Sequence, residues 1–380
     1  MYALITDAYV DAGFVLVFPG FRAHGTVNGV AAEGQAFVDA YDNGSYLMPI
    51  YYARDLLHLV EDLDSLNSVP WSKVGGGYTA DTDVRVDLTK IHLVGHSNAG
   101  DAILTALAVS GEDSTISNVI TSADIWSGCF PTRYGQVEAY YPMQTSSEAF
   151  QAGTGSLVWN ATDTPTAGGS ANPNFVHGWP ADWMANSTTE TDINNEFAAW
   201  KSGWQNGYIN KTVKEALTIK YGQMVTTLNG YVEGETGITV GNVGGETIAI
   251  TDGAAVGDLT TVVVTIDPTL KAKLDAVSAV NYPEYLVDES ILFQFSDRDY
   301  YSWPELNEGL RDEINALDGN AHSVKYAGHT HELKLSTRAW YRNAGAVVST
   351  SLFPTADLNG YTTAIDRGVT LASTGTFPAS

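Results

Sequence analysis

The sequence predicts an α/β protein: a doubly wound, mostly parallel sheet broken by one large mixed α+β insertion. Three observations predict it. Apolar, β-branched runs alternate with helical patterns over the first 130 residues and again from about residue 281, the pattern of strands joined by crossover helices. One of those runs, Ile91-His92-Leu93-Val94, passes through Gly95-His96-Ser97-Asn98-Ala99-Gly100 into the Ala-rich helical stretch Asp101–Ala108, giving strand, sharp turn and helix in succession. Between about Phe130 and Val280 the alternation stops.

Each element follows from its local pattern. Tyr2–Ala12 predicts a helix with Leu4, Ile5, Ala8 and Tyr9 as apolar positions. Gly13–Pro19 is a continuous apolar run closed by proline, which predicts a buried parallel strand, and Gly20–Gly25 a loop. Val30–Asp42 carries a weaker helical pattern interrupted by Gly34. Tyr51–Leu66 carries a firmer one, with Leu56, Leu59, Val60 and Leu63 on one stripe. Gly75–Gly77 and Asp81–Asp83 predict a surface loop, and Val86–Lys90 leads into the central strand. Asn118–Trp126 is the next strand.

Inside the insertion, Thr189–Trp204 and Val213–Leu228 predict helices, and Asp267-Pro268 opens another with Asp as N-cap and Pro at the first helical position. Ile238–Val240, Thr247–Thr251 and Thr261–Ile266 predict short strands between Gly-rich turns. The core resumes with the strand Ser290–Phe295, the turn Ser296–Asp299, the helix Pro304–Leu317, the strand Ser323–Tyr326, the loop Ala327–Leu333 and the helix Ser336–Ser349. From Phe353 the Thr/Ala/Gly-rich tail predicts irregular structure. The resulting division is 1–130 and 281–350 for the two halves of the core, 131–280 for the insertion and 351–380 for the tail.

Composition narrows the function classes. A chain of 380 residues, 44% hydrophobic, supplies a large core. A net charge of −25 and a pI of about 4.4 exclude nucleic acid and anionic membrane surfaces as expected partners. Only 17% of residues are charged, so the imbalance reflects scarce Lys and Arg. The single cysteine, Cys129, excludes an internal disulfide and reads as a buried small hydrophobe. No apolar run approaches the roughly 20 residues that span a bilayer, and Met1–Leu4 lacks the basic region of a secretory signal. The sequons at Asn43, Asn160, Asn186 and Asn210 are no more than chance supplies in so Ser/Thr/Asn-rich a chain.

The candidate chemistry sits on three loops that follow three successive core strands, the edge where parallel sheets carry their sites. They supply Ser97, then Asp297 or Asp299, then His329 or His331. Small residues at Gly95 and Ala99 permit a strained turn that lifts Ser97, and Gly100 lets the following helix pack close beneath it. The helix N-terminus then favours developing negative charge beside Ser97. Serine attacks an acyl carbon, histidine takes and returns its proton, and a carboxylate fixes the imidazole tautomer.

The pieces Gly13–Gly25, Tyr52–Leu57, Ile91–Gly100, Ile125–Gly128, Phe295–Asp299 and Tyr326–Leu333 together resemble an α/β-hydrolase of the prolyl-oligopeptidase-like or dienelactone-hydrolase-like serine esterase branch. The likeness covers the core and not the insertion. Its acid turn, His-Gly-Thr-x-Asp, falls on Phe295–Asp299 and implies Asp299 as the acid, with Asp297 in the Thr position. Its histidine loop, Tyr-x-Gly-x-x-His-x-[Phe/Leu], falls on Tyr326–Leu333 and implies His331, with His329 in the pocket wall. Its Pro-Asp-Tyr-Arg-Gly-x-Gly strand end falls on Pro19–Gly25, where Gly20 and Ala23 depart from the pattern. On that alignment the family's first strands and its His-Gly oxyanion loop are missing from this chain. On the alternative alignment, Phe18–Phe21 is the oxyanion loop and the Phe21 N–H a donor. Either way the Asn98 backbone N–H is the expected oxyanion donor.

The resemblance implies a serine hydrolase of small-molecule carboxylic esters working without cofactor. A serine peptidase of the acylaminoacyl or dipeptidyl type is the alternative, although no propeller-like repeats are present. No His, Cys or carboxylate cluster has metal spacing, so no catalytic metal is expected. The insertion is expected to act as a lid, with Trp126, Trp159, Trp179, Trp183, Trp200 and Trp204 either lining an acyl pocket or forming the lid's own core. His24, His58, His177 and His322 read as surface or packing residues, His96 as packing or bonding locally, and Glu61, Asp62 and Asp64 as a solvated face. Oligomeric state and localisation are not predicted.

Overall fold

The computed structural model describes residues 2–21, 26–27, 30–31, 48–68, 86–112, 119–133, 136, 209–210, 248–252, 261–266, 268–297, 299, 301–327, 329–333 and 360–378. Helix α1 (Tyr2–Asp11) is followed by a small hairpin, β1 (Thr26–Val27) and β2 (Val30–Ala31), then by α2 (Met48–Asp62). The core continues through β3 (Ile91–His96), α3 (Asn98–Glu112) and β4 (Ile120–Trp126). Next come three short antiparallel strands, β5 (Ile209–Asn210), β6 (Ile248–Asp252) and β7 (Thr261–Ile266), with β7 in the middle, then α4 (Pro268–Ala276). The chain returns to the core with β8 (Ser290–Ser296), α5 (Pro304–Ala316), β9 (Asn320–Tyr326) and α6 (Gly360–Thr374).

The central sheet has four strands in the order β3-β4-β8-β9, all parallel. Helices lie on both of its faces, so the chain is an α/β protein. The side-chain period of two divides those faces sharply. One face is apolar: Leu93, Ala123, Ile125, Ile291, Phe293, Phe295 and Ala321 pack against α2, α3 and α5 through residues such as Leu56, Leu104, Leu107, Leu310 and Ile314. Cys129 joins this cluster, and burial pushes its thiol well above the ordinary range.

The other face carries His92, Ser122, Asp124, Gln294 and Tyr326 beneath α1 and α6. Its polar groups are paired, as buried polar groups must be. His92 Nδ1 lies 2.7 Å from Ser122 Oγ, and its Nε2 lies 3.2 Å from the Tyr9 hydroxyl of α1. Asp124 accepts from Trp126 Nε1 at 2.7 Å and from Gln294 Nε2 at 2.9 Å. Tyr326 donates to Gln294 Oε1 at 2.7 Å and accepts from Arg367 of α6 at 2.8 Å. Gly368 of α6 makes room for the cluster, since a Cβ there would lie 2.2 Å from Asp124 Oδ2.

Burial pushes the Asp124 carboxyl up to about 7 and the His92 ring down to about 3. The two act on stability with opposite sign. Between about pH 4 and 7 Asp124 holds a proton only in the folded chain, so its contribution falls as pH rises. Between about pH 3 and 6.5 His92 holds one only in the unfolded chain, so its contribution rises. Glu289, pushed up to about 8 mainly by burial, adds the same falling background throughout. Relative to the parent, Asp124→Asn is expected to make the slope of stability between pH 4 and 6.5 more positive, and His92→Asn more negative, each by about 1.4 kcal/mol per pH unit at most. Urea midpoints at four pH values measure this. Slopes that shift the same way in both variants would contradict it.

The start and end of the insertion are fastened to α3 by one buried ion pair. Arg133 and Asp101, both nearly inaccessible, meet through two guanidinium–carboxylate bonds, one of them NH2 to Oδ1 at 3.1 Å. The Arg133 N–H donates to Ser278 Oγ at 2.8 Å, beside the return into the core. Removing the cation strands a buried carboxylate. Arg133→Met is therefore expected to cost about 3–5 kcal/mol in urea unfolding, and adding Asp101→Leu should recover most of it. A double variant as unstable as the single one would show that the packing, not the unpaired charge, matters.

Several expectations need correction. Gly13–Pro19 is not a buried strand. The segment joins no strand ladder among the described residues, and Val15, Val17 and Phe18 are 41–46% exposed. Apolarity selects burial but not a pairing partner: Phe14 packs edge-on against Tyr9 of α1, and the segment walls a cavity of about 510 Å³ alongside β3. The start of the Val30–Asp42 helix is strand β2, and the rest lies outside the described residues. The tail from Phe353 is not all irregular, because Gly360–Thr374 forms α6. Its threonines masked a helical stripe of Gly360, Ala364, Ile365, Gly368 and Leu371, all buried. The expected elements at Thr189–Trp204, Val213–Leu228, Ile238–Val240 and Ser336–Ser349, the loops at 75–83 and the Asp267 cap lie outside the described residues. Among those residues no helix is long and apolar enough to cross a membrane.

Candidate active site

Ser97 leaves β3 with φ 59°, in the left-handed region that non-glycine residues avoid. Ser127, leaving β4, does the same with φ 46°. Both turns are over-determined by their surroundings. The Ser97 N–H donates to Trp126 O at 2.9 Å, the Ser127 N–H to Gln294 O at 2.8 Å and the Asp297 N–H to Tyr326 O at 3.1 Å. This ladder carries the sheet one residue beyond its strands, so four loops start from one carboxyl edge.

Small residues make the Ser97 turn possible. A Cβ on Gly95 would lie 2.6 Å from Ile103 Cδ1 and 2.7 Å from the Ala99 carbonyl carbon. One on Gly100 would lie 2.8 Å from Gly128 Cα. Helix α3 starts at Asn98, and the Asp101 N–H closes its first turn on Ser97 O at 3.2 Å. The Asn98 N–H thus belongs to the helix N-terminus, where amide groups have no carbonyl of their own helix and favour an anion.

The acid and histidine loops meet. Asp299 Oδ2 and His331 Nδ1 are 2.5 Å apart, with Asp299 fully buried and His331 2% exposed. The other oxygen, Asp299 Oδ1, accepts the Tyr301 N–H at 2.9 Å. The His331 ring lies 4.8 Å from the His96 ring and 5.0 Å from the Tyr301 ring. With Asp299 as a carboxylate, which can only accept, the proton sits on Nδ1 and Nε2 is left as a base. The Ser97 hydroxyl makes no hydrogen bond among the described residues. The structure thus joins Asp299 to His331 and gives Ser97 no hydrogen bond to either.

The neighbouring candidates lie elsewhere. His329 Nδ1 donates to Ala327 O at 2.8 Å, and its ring faces α6, where a Cβ on Gly360 would lie 2.1 Å from Nε2. Asp297 is half-buried at the end of β8. Phe21 stacks on Tyr52 at 4.7 Å and packs on Ala102, one turn along α3 from Asn98. Trp126 is buried in the sheet core, donates to Asp124, belongs to the cluster under α6 and also lines the cavity beside β3; the other five tryptophans named above lie outside the described residues. His58 is exposed, His322 stacks on Phe377 at 5.4 Å, and Glu61, Asp62 and Asp64 are exposed. Among the described residues no three His, Cys, Asp or Glu side chains gather to hold a metal ion.

Sequence reasoning missed two features. His96 packs, as expected, but against a distant segment: its Nε2 donates to the carbonyl of His331, 235 residues away, at 3.0 Å. The polar face under α6 was invisible as well, although His92, Ser122 and Asp124 fall at alternating positions of apolar runs, where their presence was itself a signal. Fold and site together define an α/β protein with a buried Asp–His pair at the carboxyl edge of a parallel sheet. Comparison with known protein families, with curated proteins and with solved structures gives no match for the chain.

Proposed function

We propose that the chain is a serine hydrolase of the α/β-hydrolase kind that cleaves small-molecule carboxylic esters. The observation that carries this reading is the buried 2.5 Å bond between Asp299 and His331 at the sheet edge from which Ser97 rises on a strained turn. In this reading Ser97 Oγ attacks the acyl carbon as His331 Nε2 takes its proton. The oxyanion draws on the Asn98 N–H and the dipole of α3. His331 then protonates the departing alcohol, and water repeats the sequence on the acyl-enzyme. The apolar cavity beside β3 reaches His96 and Ala99, either side of the serine, and offers space for an acyl group. The insertion serves as the lid.

A panel of p-nitrophenyl esters and aminoacyl nitroanilides, run with a fluorophosphonate probe, tests the reading. Turnover of the esters with labelling at Ser97 is expected. Preferential cleavage of the nitroanilides would move the chain to the peptidase class, and absence of both turnover and labelling would remove it from the serine hydrolases.

A further inference from the structure

We infer that His96 is a positioning residue for His331, setting the distance between the base and the serine; this deepens the serine-hydrolase reading and rests on it. His96 is the last residue of β3 and is bonded in the chain to Ser97. Its Nε2 lies 3.0 Å from the carbonyl oxygen of His331. A carbonyl can only accept, so the proton is on His96 Nε2 and the direction of the bond is fixed. The strand that carries the nucleophile therefore holds the loop that carries the base, by one hydrogen bond between immediate neighbours of the two reacting atoms. The same loop is held to β8 by Ser296 Oγ, which donates to the His329 carbonyl at 2.6 Å, and the His96 bond adds a hold at His331 itself, two residues before Leu333 with its φ of 57°.

The His96 ring does a second job. It lies 4.8 Å from the His331 ring at an interplanar angle of 55°, while Tyr301 covers the ring at 5.0 Å and 54°. Asp299 fixes Nδ1, but one hydrogen bond leaves the imidazole free to swing about it. The two aromatic contacts remove that swing and leave Nε2 directed by the packing. In this role His96 acts through His331 and not on a reacting atom.

The test uses the full chain with His96→Ala, His96→Phe and His96→Gln. Gln places an amide N–H near the position of Nε2, Phe keeps the ring without a donor, and Ala removes both. Ester kcat is expected to fall about 10- to 100-fold in the Ala and Phe variants, the scale of a misplaced catalytic group, with KM little changed, and to recover substantially in Gln. The second readout is the low-field proton resonance of the Asp299–His331 bond. It is expected in the parent, broadened or lost with Ala and Phe, and restored with Gln. Parent-like kcat and resonance in His96→Ala overturn the inference. So does a loss in all three variants that follows their melting temperatures with no rescue by Gln, which is the mark of a packing role alone. If the parent itself neither turns over esters nor labels at Ser97, the functional reading fails, and the resonance still decides whether His96 positions His331.

Discussion

Ser97→Ala is expected to abolish fluorophosphonate labelling and to lower ester kcat by about 10⁵- to 10⁶-fold, the scale of losing a nucleophile from a cooperating triad. The fold should survive the change. Ser97 is only partly buried, its hydroxyl bonds to no described residue, and its left-handed φ of 59° is held by backbone bonds to Trp126 and Asp101 that alanine keeps. The hydroxyl is thus removed without removing the turn. Labelling of the folded variant, or activity within tenfold of the parent, would place the nucleophile elsewhere.

Asp299→Asn is expected to lower kcat by about 10⁴-fold while leaving the protein folded. The direction follows from both carboxylate oxygens. Oδ1 accepts the Tyr301 N–H, so the oxygen of an asparagine must stay on that side. Its NH₂ group then faces His331 Nδ1 across the position of the present 2.5 Å bond. An NH₂ group donates, so Nδ1 must accept, and the ring proton moves to Nε2. That tautomer cannot take a proton from serine. Asp297→Asn serves as the control and should leave kcat near the parent value. Equal losses in the two variants would mean that the Asp299 bond does not set the tautomer.

Local pattern carried much of the fold. The run from Ile91 through Gly100 states strand, turn and helix in ten residues because small side chains at Gly95 and Gly100 are sterically required, and steric requirement is visible in sequence. The strand Ser290–Ser296, the second half of the strand Asn320–Tyr326, and the helix Pro304–Ala316 with Pro at its first turn were legible for similar reasons. Gly13–Pro19 was not, because a strand exists only when a neighbour supplies the other half of its ladder, and no apolar run encodes which neighbour that is. The helix Gly360–Thr374 was hidden by composition, since its buried stripe is built partly of glycine and alanine that make close approach and not hydrophobic bulk.

The sequence by itself determined the α/β class and the set of candidate residues at the loop ends, because both follow from periodicities and small-residue positions that act within a few residues of themselves. Local pattern left the choice of carboxylate and imidazole open, the family resemblance favoured Asp299 and His331, and the tertiary structure decided that these two face each other. Asp297 and Asp299 are two residues apart, as are His329 and His331, and alternate residues on a loop differ only in direction. Direction was settled by one local bond, the Tyr301 N–H on Asp299, and by two contacts from farther along the chain: His96 on the carbonyl of His331, and Gly360 opening the space that takes His329. The buried pairs Arg133–Asp101 and Asp124–Gln294 belong to the same category. A buried polar or charged group is stable only with its partner in place, and partners 32 and 170 residues away become neighbours only when the sheet and its helices have packed.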